Sequence, residues 1–180
     1  MVVVTPIITL PGIHGSGPTH WQSVWEDREP DRFTRFTPSD WDHPDLDDWV
    51  DALSRAVRAA PAGPVLVAHS LSCLLVPWWV RRGTGTVRGA LLVAPVDPLA
   101  SAFPAEAADF TDFPVRRLPF PTTVVGSDDD PYATADWSRR FAGLLGADYR
   151  NLGAHGHVNA DSGLGDWPEG AALLRELVDA

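Results

Sequence analysis

Short apolar runs alternate with longer amphipathic segments along most of the chain. The runs of strand length fall at residues 7–10, 65–68, 90–93 and 122–125, with a weaker run at 147–152 and a short candidate at 33–37. Segments with apolar residues at helical spacing fall at 46–60, 71–80, 133–145 and 167–178. Strands without polar alternation, each followed by a helix, are typical of a mostly parallel sheet covered on both faces. The pattern therefore predicts an α/β fold, a compact three-layer domain over residues 1–180 with a doubly wound sheet of about six strands.

Chemically useful side chains follow several of the predicted strands. In such sheets ligands bind beyond the carboxyl ends of the strands, so the residues after each run are the candidates for function. These candidates are Ser70 after run 65–68, Asp97 after run 90–93, Asp128, Asp129 and Asp130 after run 122–125, and His155 and His157 after run 147–152. A nucleophile, several acids and a base are therefore expected at one edge of the sheet.

Ser70 lies where a valine-rich run stops and helical spacing begins. A sharp turn between a strand and a helix pushes the serine hydroxyl out of the end of the sheet, and the backbone N–H groups that follow can hold an oxyanion. A serine nucleophile needs an imidazole to take its proton and a carboxylate to orient that imidazole. The order serine, aspartate, histidine along this chain is the order of α/β hydrolases. The pattern predicts a serine hydrolase with Ser70 as the nucleophile.

Two histidines and two aspartates compete for the other positions of this triad. His157 is the preferred base because it follows the last strand in a glycine-flanked loop, residues 153–157, and His155 is its rival. Asp130 is the preferred acid because it follows the strand that usually carries the acid and precedes a proline that fixes a turn. Asp97, one strand earlier, is the alternative.

Asp128 and Asp129, which precede Asp130, have two alternative roles. Asp128 and Asp129 could cap the helix expected to start near Tyr132. Three adjacent acids also resemble a cation site, but no fourth ligand or second acidic cluster accompanies them in the sequence. We therefore expect no bound metal.

The glycine-rich segment 14–17, after the first run, is the candidate for one half of an oxyanion hole. We expect backbone N–H groups of Gly15 and Ser16 to complete the hole together with the N–H of Leu71. The segment is not a dinucleotide fingerprint, because it lacks a third glycine at the required spacing and an acid at the end of a second strand. The remaining histidines are expected to be packing or turn residues: His14, His20, His43 and His69.

Charge and composition exclude several classes of function. The net charge is −10, with the acids scattered, which argues against a nucleic-acid or anionic-membrane surface and against a polyanionic substrate. All 14 basic residues are arginine. The absence of lysine removes Schiff-base chemistry, a pyridoxal-phosphate anchor and a P-loop lysine.

The sequence also favours a cytoplasmic location. The single cysteine, Cys73, has no partner for an internal disulfide and lies in an apolar segment, which indicates core packing in a reducing compartment. The apolar start of the chain, residues 1–10, lacks a basic leader and a cleavage site, so we expect a first buried strand. No run approaches the roughly 18 apolar residues that a bilayer span needs.

Five blocks of the chain carry a resemblance to a known family. They are Pro-Gly at 11–12, Ser-Gly-Pro-Thr-His-Trp-Gln at 16–22, Ala-His-Ser-Leu-Ser-Cys at 68–73, Asp-Asp-Pro-Tyr at 129–132 and Gly-His-Val-Asn-Ala-Asp-Ser-Gly-Leu-Gly-Asp-Trp-Pro at 156–168. Together they resemble the small serine hydrolases related to retinoblastoma-binding protein nine and the bacterial YdeN-like proteins. The blocks at 16–22 and 156–168 are the specific ones.

The resemblance implies a compact α/β hydrolase that acts without a cofactor. By analogy with the family, Ser70 is the nucleophile, His157 the base and Asp130 the acid, which moves the choice of acid from Asp97 to Asp130. The chain departs from the general hydrolase turn in carrying Ala68 and Ser72 where glycine is usual. Both residues are small, so we expect a strained turn rather than its loss.

The resemblance leaves the substrate open beyond a small ester or amide cleaved through an acyl-enzyme. An apolar acyl pocket could be lined by aromatic side chains, although most of these are expected in the core: Trp21, Trp25, Trp41, Trp78, Trp79, Phe103, Phe110 and Phe113. The alternative function is a non-catalytic module that binds a protein partner and keeps the hydrolase fold. No nucleic-acid or membrane partner is expected.

Overall fold

The computed structural model describes residues 4–83 and 85–180. Six strands are formed, β1 (Ile7–Leu10), β2 (Phe33–Arg35), β3 (Val65–His69), β4 (Gly89–Val93), β5 (Thr122–Gly126) and β6 (Asp148–Asn151). Five α-helices accompany them, α1 (Trp21–Arg28), α2 (Leu46–Ala59), α3 (Ser72–Arg82), α4 (Ala135–Leu145) and α5 (Pro168–Asp179), with short 3₁₀ turns at Ala105–Phe110 and Ala160–Ser162. None of the helices in the described part of the chain is long and apolar enough to cross a membrane.

The six strands form one sheet in the order β2-β1-β3-β4-β5-β6, and all five strand pairs are parallel. From β1 the chain builds the sheet first toward β2 and then toward β3 on the other side. The carboxyl ends of β1 and β3 therefore form the switch point of the sheet, where a doubly wound fold leaves a crevice for ligands.

Both faces of the sheet are covered by helices, and every position of the central strands β1, β3, β4 and β5 is buried. Side chains of a strand alternate between the two faces, so Leu66 and Ala68 join one core while Val65 and Val67 join the other. Helices α2, α3 and α4 pack on the first face, and α1 and α5 pack on the second. The predicted α/β class, with about six strands and helices on both faces, is confirmed.

Helix α1 is the element that the hydrophobic pattern missed. Its sequence has no apolar stripe, because polar Gln22 and Ser23 are buried beside Trp21 and Trp25. Those polar groups are satisfied inside the protein, for example by the bond from Gln22 Nε2 to the carbonyl of Val67. Tertiary hydrogen bonds thus replace the amphipathic pattern that sequence reasoning relies on.

Other boundaries differ by one or two residues from those predicted. The predicted run 147–152 forms a strand over Asp148–Asn151, and the helix predicted at 133–145 starts at Ala135. Thr134 caps that helix by accepting from the N–H of Trp137, so the expectation that Asp128 or Asp129 would cap it is wrong. The apolar segment 1–10 was predicted to form a buried strand, and β1 forms over Ile7–Leu10. Residues 1–3 of that segment lie outside the described residues.

Candidate active site

Ser70 lies in the sharp turn between β3 and α3, with a backbone conformation that serine seldom adopts. Its φ angle is 58°, in the left-handed region, and its N–H is held by the carbonyl of Val93 at 3.0 Å. Such a conformation costs about 1–3 kcal/mol and persists only where the surrounding packing enforces it. The turn presents the Ser70 hydroxyl at the carboxyl edge of the sheet, as the sequence pattern predicted.

The two positions that depart from glycine fit the turn in different ways. Ala68 is fully buried in β3. Ser72 is also fully buried, and its hydroxyl donates a 2.6 Å hydrogen bond to the carbonyl of Pro11. Ser72 therefore joins the turn at Ser70 to the loop after β1, a bond that glycine could not make.

A continuous line of hydrogen bonds joins Ser70, His157 and Asp130. His157 Nε2 lies 2.9 Å from Ser70 Oγ, and His157 Nδ1 lies 2.9 Å from each carboxylate oxygen of Asp130. A carboxylate only accepts, so Nδ1 carries the proton and Nε2 offers its lone pair to the serine hydroxyl. The side chains of His157 and Asp130 are 9% and 3% exposed. This is the geometry in which an imidazole can remove the proton of a serine.

Asp97 and His155, the alternative candidates for the acid and the base, make other hydrogen bonds. The Asp97 carboxylate accepts from the N–H of Leu99, within its own turn. The backbone N–H of His155 donates to the hydroxyl of Ser127. Neither side chain has a hydrogen bond to Ser70 or His157 among the described residues.

The two acids before Asp130 hold the loops around it. Asp129 accepts from the hydroxyl of Ser127 and from the N–H of Gly156 at 2.7 Å, and these bonds lower the pKa of its carboxyl. Asp128 accepts from the side-chain amide of Asn151. Over residues 4–83 and 85–180, no group of histidine, cysteine, aspartate or glutamate side chains is arranged to hold a metal ion.

The loop after β1 approaches Ser70 more closely than the sequence indicated. A Cβ atom added at Gly12 would lie 2.8 Å from the Cβ of Ser70 and 3.2 Å from its Oγ. Gly12 therefore lets the backbone of this loop pass directly beside the Ser70 side chain. The signal for Gly12 was its place two residues after the end of β1, whereas the glycine-rich segment 14–17 was the predicted candidate.

The N–H groups expected in the oxyanion hole are only partly free. Gly15 donates to the carbonyl of Gly12, and His14 donates to the carbonyl of Trp41. Ser16 does not line the cavity at Ser70. In the described part of the chain the N–H groups of Leu71 and Ile13 have no acceptor, and both residues line that cavity.

Two further histidines are buried near His157: His69 lies beside His157, and His20 lies beside His69. The ring centroids of His69 and His157 are 4.9 Å apart, and those of His20 and His69 are 4.8 Å apart. Burial lowers the pKa of His69 well below its usual value, and burial together with Arg35 lowers the pKa of His20 to about 4. Both rings are therefore neutral at neutral pH. No pattern in the sequence indicated that His69 contacts His157.

The cavity above Ser70 has a volume of about 310 Å³. Its apolar wall includes Ile13, Leu71, Val96 and Pro104. Among the described residues, the charged side chains that line it are Asp42 and Glu106, apart from histidines. The aromatic residues proposed for an acyl pocket do not line it. They are buried in, or packed against, the two cores of the protein, as the simpler expectation held: Trp21, Trp25, Trp41, Trp78, Trp79, Phe103, Phe110 and Phe113.

Comparisons with solved structures agree with this architecture. A YdeN-like hydrolase from Pectobacterium atrosepticum superposes with a TM-score of 0.87 at 29% identity, covering 97% of this chain and 91% of that one. The ydeN gene product of B. subtilis superposes with a TM-score of 0.82 at 20% identity, covering 98% and 100%. A monoacylglycerol lipase from Paleococcus ferrophilus shares the fold with a TM-score of 0.73 at 11% identity, covering 97% and 96%.

Comparison of sequences gives the family. No curated protein matches the chain with significant similarity. A family model described as serine hydrolase matches residues 7–176, nearly the whole chain. The chain thus belongs to the serine hydrolase family, within the α/β-hydrolase superfamily.

Proposed function

We propose that the protein cleaves a small ester or amide through an acyl-enzyme on Ser70. The observation that carries the proposal is the line of 2.9 Å contacts from Ser70 Oγ through His157 to Asp130. His157 is the general base and Asp130 the acid that orients it. A binding module would not need these three side chains in this geometry.

In the first half-reaction Ser70 Oγ attacks the carbonyl carbon of the substrate and its proton passes to His157 Nε2. The carbonyl π electrons move to oxygen and give a tetrahedral oxyanion. When this intermediate collapses, the bond to the leaving alcohol or amine breaks and His157 returns the proton to that group. Water then attacks the acyl-enzyme with the same help from His157, which releases the carboxylic acid and free Ser70.

The N–H groups of Leu71 and Ile13 are the proposed hydrogen-bond donors to the oxyanion. Leu71 follows the nucleophile directly at the start of α3, and Ile13 follows Gly12, whose backbone lies against Ser70. Both N–H groups lack an acceptor within the described residues, whereas the N–H of Gly15 is already used. Preorganised donors of this kind stabilise the charge that develops in the transition state.

The cavity sets limits on the substrate. A volume of about 310 Å³ is near the lower end of the range for small-molecule sites. The charged lining side chains, Asp42 and Glu106, and the net charge of −10 disfavour an anionic substrate. A small, uncharged ester or amide fits these constraints best.

An active-site fluorophosphonate probe tests the proposal directly. We expect the probe to label the wild-type protein and to leave Ser70→Ala unlabelled, because the probe reacts only with an activated serine. Folded Ser70→Ala, checked by circular dichroism, is the matched control. Labelling of Ser70→Ala at the wild-type rate, or no labelling of folded wild-type protein, would contradict the proposed nucleophile.

A further inference from the structure

The residue before the nucleophile is bonded to the backbone of the base. His69 ends β3, is 5% exposed, and its Nε2 lies 2.9 Å from the carbonyl oxygen of His157. A carbonyl oxygen only accepts, so His69 Nε2 carries the proton and donates it. This bond joins the strand that positions Ser70 to the loop that carries His157, across 88 residues of sequence.

A second buried donor holds the next carbonyl of the same loop. Trp21 Nε1 donates to the carbonyl of Val158 at 2.8 Å, and the Trp21 and His69 rings meet edge to face with centroids 6.2 Å apart. Val158 has a φ angle of 49°, which is unfavourable for a β-branched residue. The loop adopts this conformation against its own preference, so the donors that fix it determine where the His157 ring lies.

The His69 ring stays neutral, so only one of its two nitrogens carries a proton. Desolvation and the neighbouring His157 both lower the pKa of His69. The tautomer is then set by the one strong acceptor it contacts, the carbonyl of His157. A neutral ring beside His157 also adds no positive charge to oppose the proton that the base takes up during catalysis.

We propose that His69 is a positioning residue of the hydrolase, whose Nε2–H bond to the His157 carbonyl sets the base at hydrogen-bond distance from Ser70 Oγ. The inference rests on the proposed function of Ser70 and His157. It replaces the expectation from sequence that His69 only packs or turns the chain. The His69 bond would raise the rate by holding His157 in place, because a displacement of about 1 Å at a reacting group can lower the rate about 10²-fold.

Two variants of His69 with side chains of similar size distinguish the effect of the hydrogen-bond donor from the effect of packing. Glutamine in H69Q can place an amide N–H near the position of Nε2, whereas methionine in H69M fills the space without a donor. With p-nitrophenyl acetate we expect H69M to lose on the order of 10- to 100-fold in kcat with KM unchanged. H69Q should recover most of the lost kcat. Leu177→Ala, in the core that also holds Trp21 and Val158 but packed against Gly89 at the amino end of β4, controls for lost stability alone and should keep the wild-type kcat.

The outcomes distinguish this inference from the proposed function. If wild-type protein reacts with the fluorophosphonate probe but H69M and H69Q have equal kcat values, the His69 bond does not position the base. If wild-type protein does not react, the proposed function itself fails. Should H69M not fold, ¹⁵N NMR of the wild-type imidazole decides: the Nε2–H tautomer of His69 supports the inference and the Nδ1–H tautomer overturns it.

Discussion

Single residues in this protein carry conformations that the rest of the molecule must enforce. Ser70 and Val158 both have positive φ angles, and they lie on the two sides of the contact between nucleophile and base. Each is held by a hydrogen bond to a different part of the chain, Ser70 by Val93 and Val158 by Trp21. The geometry of the proposed active site thus depends on unfavourable conformations at individual backbone positions, which contacts with neighbouring residues maintain.

The choice of acid is a prediction at this scale. Asp130→Asn should lower kcat by on the order of 10⁴-fold, because an asparagine that donates its side-chain N–H to His157 Nδ1 holds the imidazole in the wrong tautomer. Asp97→Asn should leave kcat near the wild-type value, since Asp97 only accepts from the N–H of Leu99. Steady-state hydrolysis of a p-nitrophenyl ester measures both. A larger fall in Asp97→Asn would reverse the assignment.

Between elements, the closest fit is that of the loop after β1 against the turn after β3. Gly12 touches Ser70, and the hydroxyl of Ser72 donates to the carbonyl of Pro11 in the same loop. These contacts align two loops that come from neighbouring strands of the sheet. The serine at position 72, which the sequence suggested as a source of strain, here acts as a connection between the loops.

This fit predicts a sharp effect of a single methyl group. In Gly12→Ala the new Cβ would lie 2.8 Å from the Cβ of Ser70, so either the loop or the nucleophile must shift. We expect kcat for a p-nitrophenyl ester to fall on the order of 10²-fold, with the protein still folded. Stopped-flow acylation and a thermal melt measure the two effects separately.

The matched control for this variant is Gly143→Ala, in the last turn of α4. A Cβ there would meet nothing within 4 Å. Alanine is also a better helix former than glycine, so stability should rise slightly while kcat stays unchanged. Equal kcat values for Gly12→Ala and Gly143→Ala would show that the Gly12 contact does not matter for catalysis.

The whole molecule buries two neutral histidines, and this links its stability to pH. His20 has a pKa of about 4 in the folded protein, against 6.5 for a free histidine. Between these pH values the unfolded chain binds more protons, so the free energy of unfolding must fall as the pH falls. His69 shifts in the same direction. Each histidine contributes a slope of about 1.4 kcal/mol per pH unit within its window.

His20→Asn should remove one of these contributions. Asparagine can still cap α1, as His20 Nδ1 does by accepting from the N–H of Gln22. We expect urea unfolding at several pH values from 4.5 to 7 to show a shallower loss of stability in acid than in the wild type. His43→Asn, which removes a side chain that is 79% exposed, should keep the wild-type slope. An unchanged slope in His20→Asn would contradict the prediction.

The sequence by itself determined the sheet, most helices and a short set of candidate residues at its edge. The apolar runs had to be buried on both faces, and in a parallel sheet their carboxyl ends share one edge, so Ser70 was expected there together with two candidate acids, Asp97 and Asp130, and two candidate bases, His155 and His157. These inferences hold because strand burial and chain order are local and directional properties. They do not depend on how any one side chain packs.

Tertiary structure alone decided the features that depend on contacts between distant parts of the chain. Helix α1 is buried through polar Gln22 and Ser23, so its pattern did not show which face is inside. Gly12, rather than Gly15, lies against the nucleophile, because the loop's own hydrogen bonds turn Gly15 away. His69 gained its place beside His157 from a bond across 88 residues. Distances of this kind arise only when the strands and loops are assembled, and no local pattern encodes them.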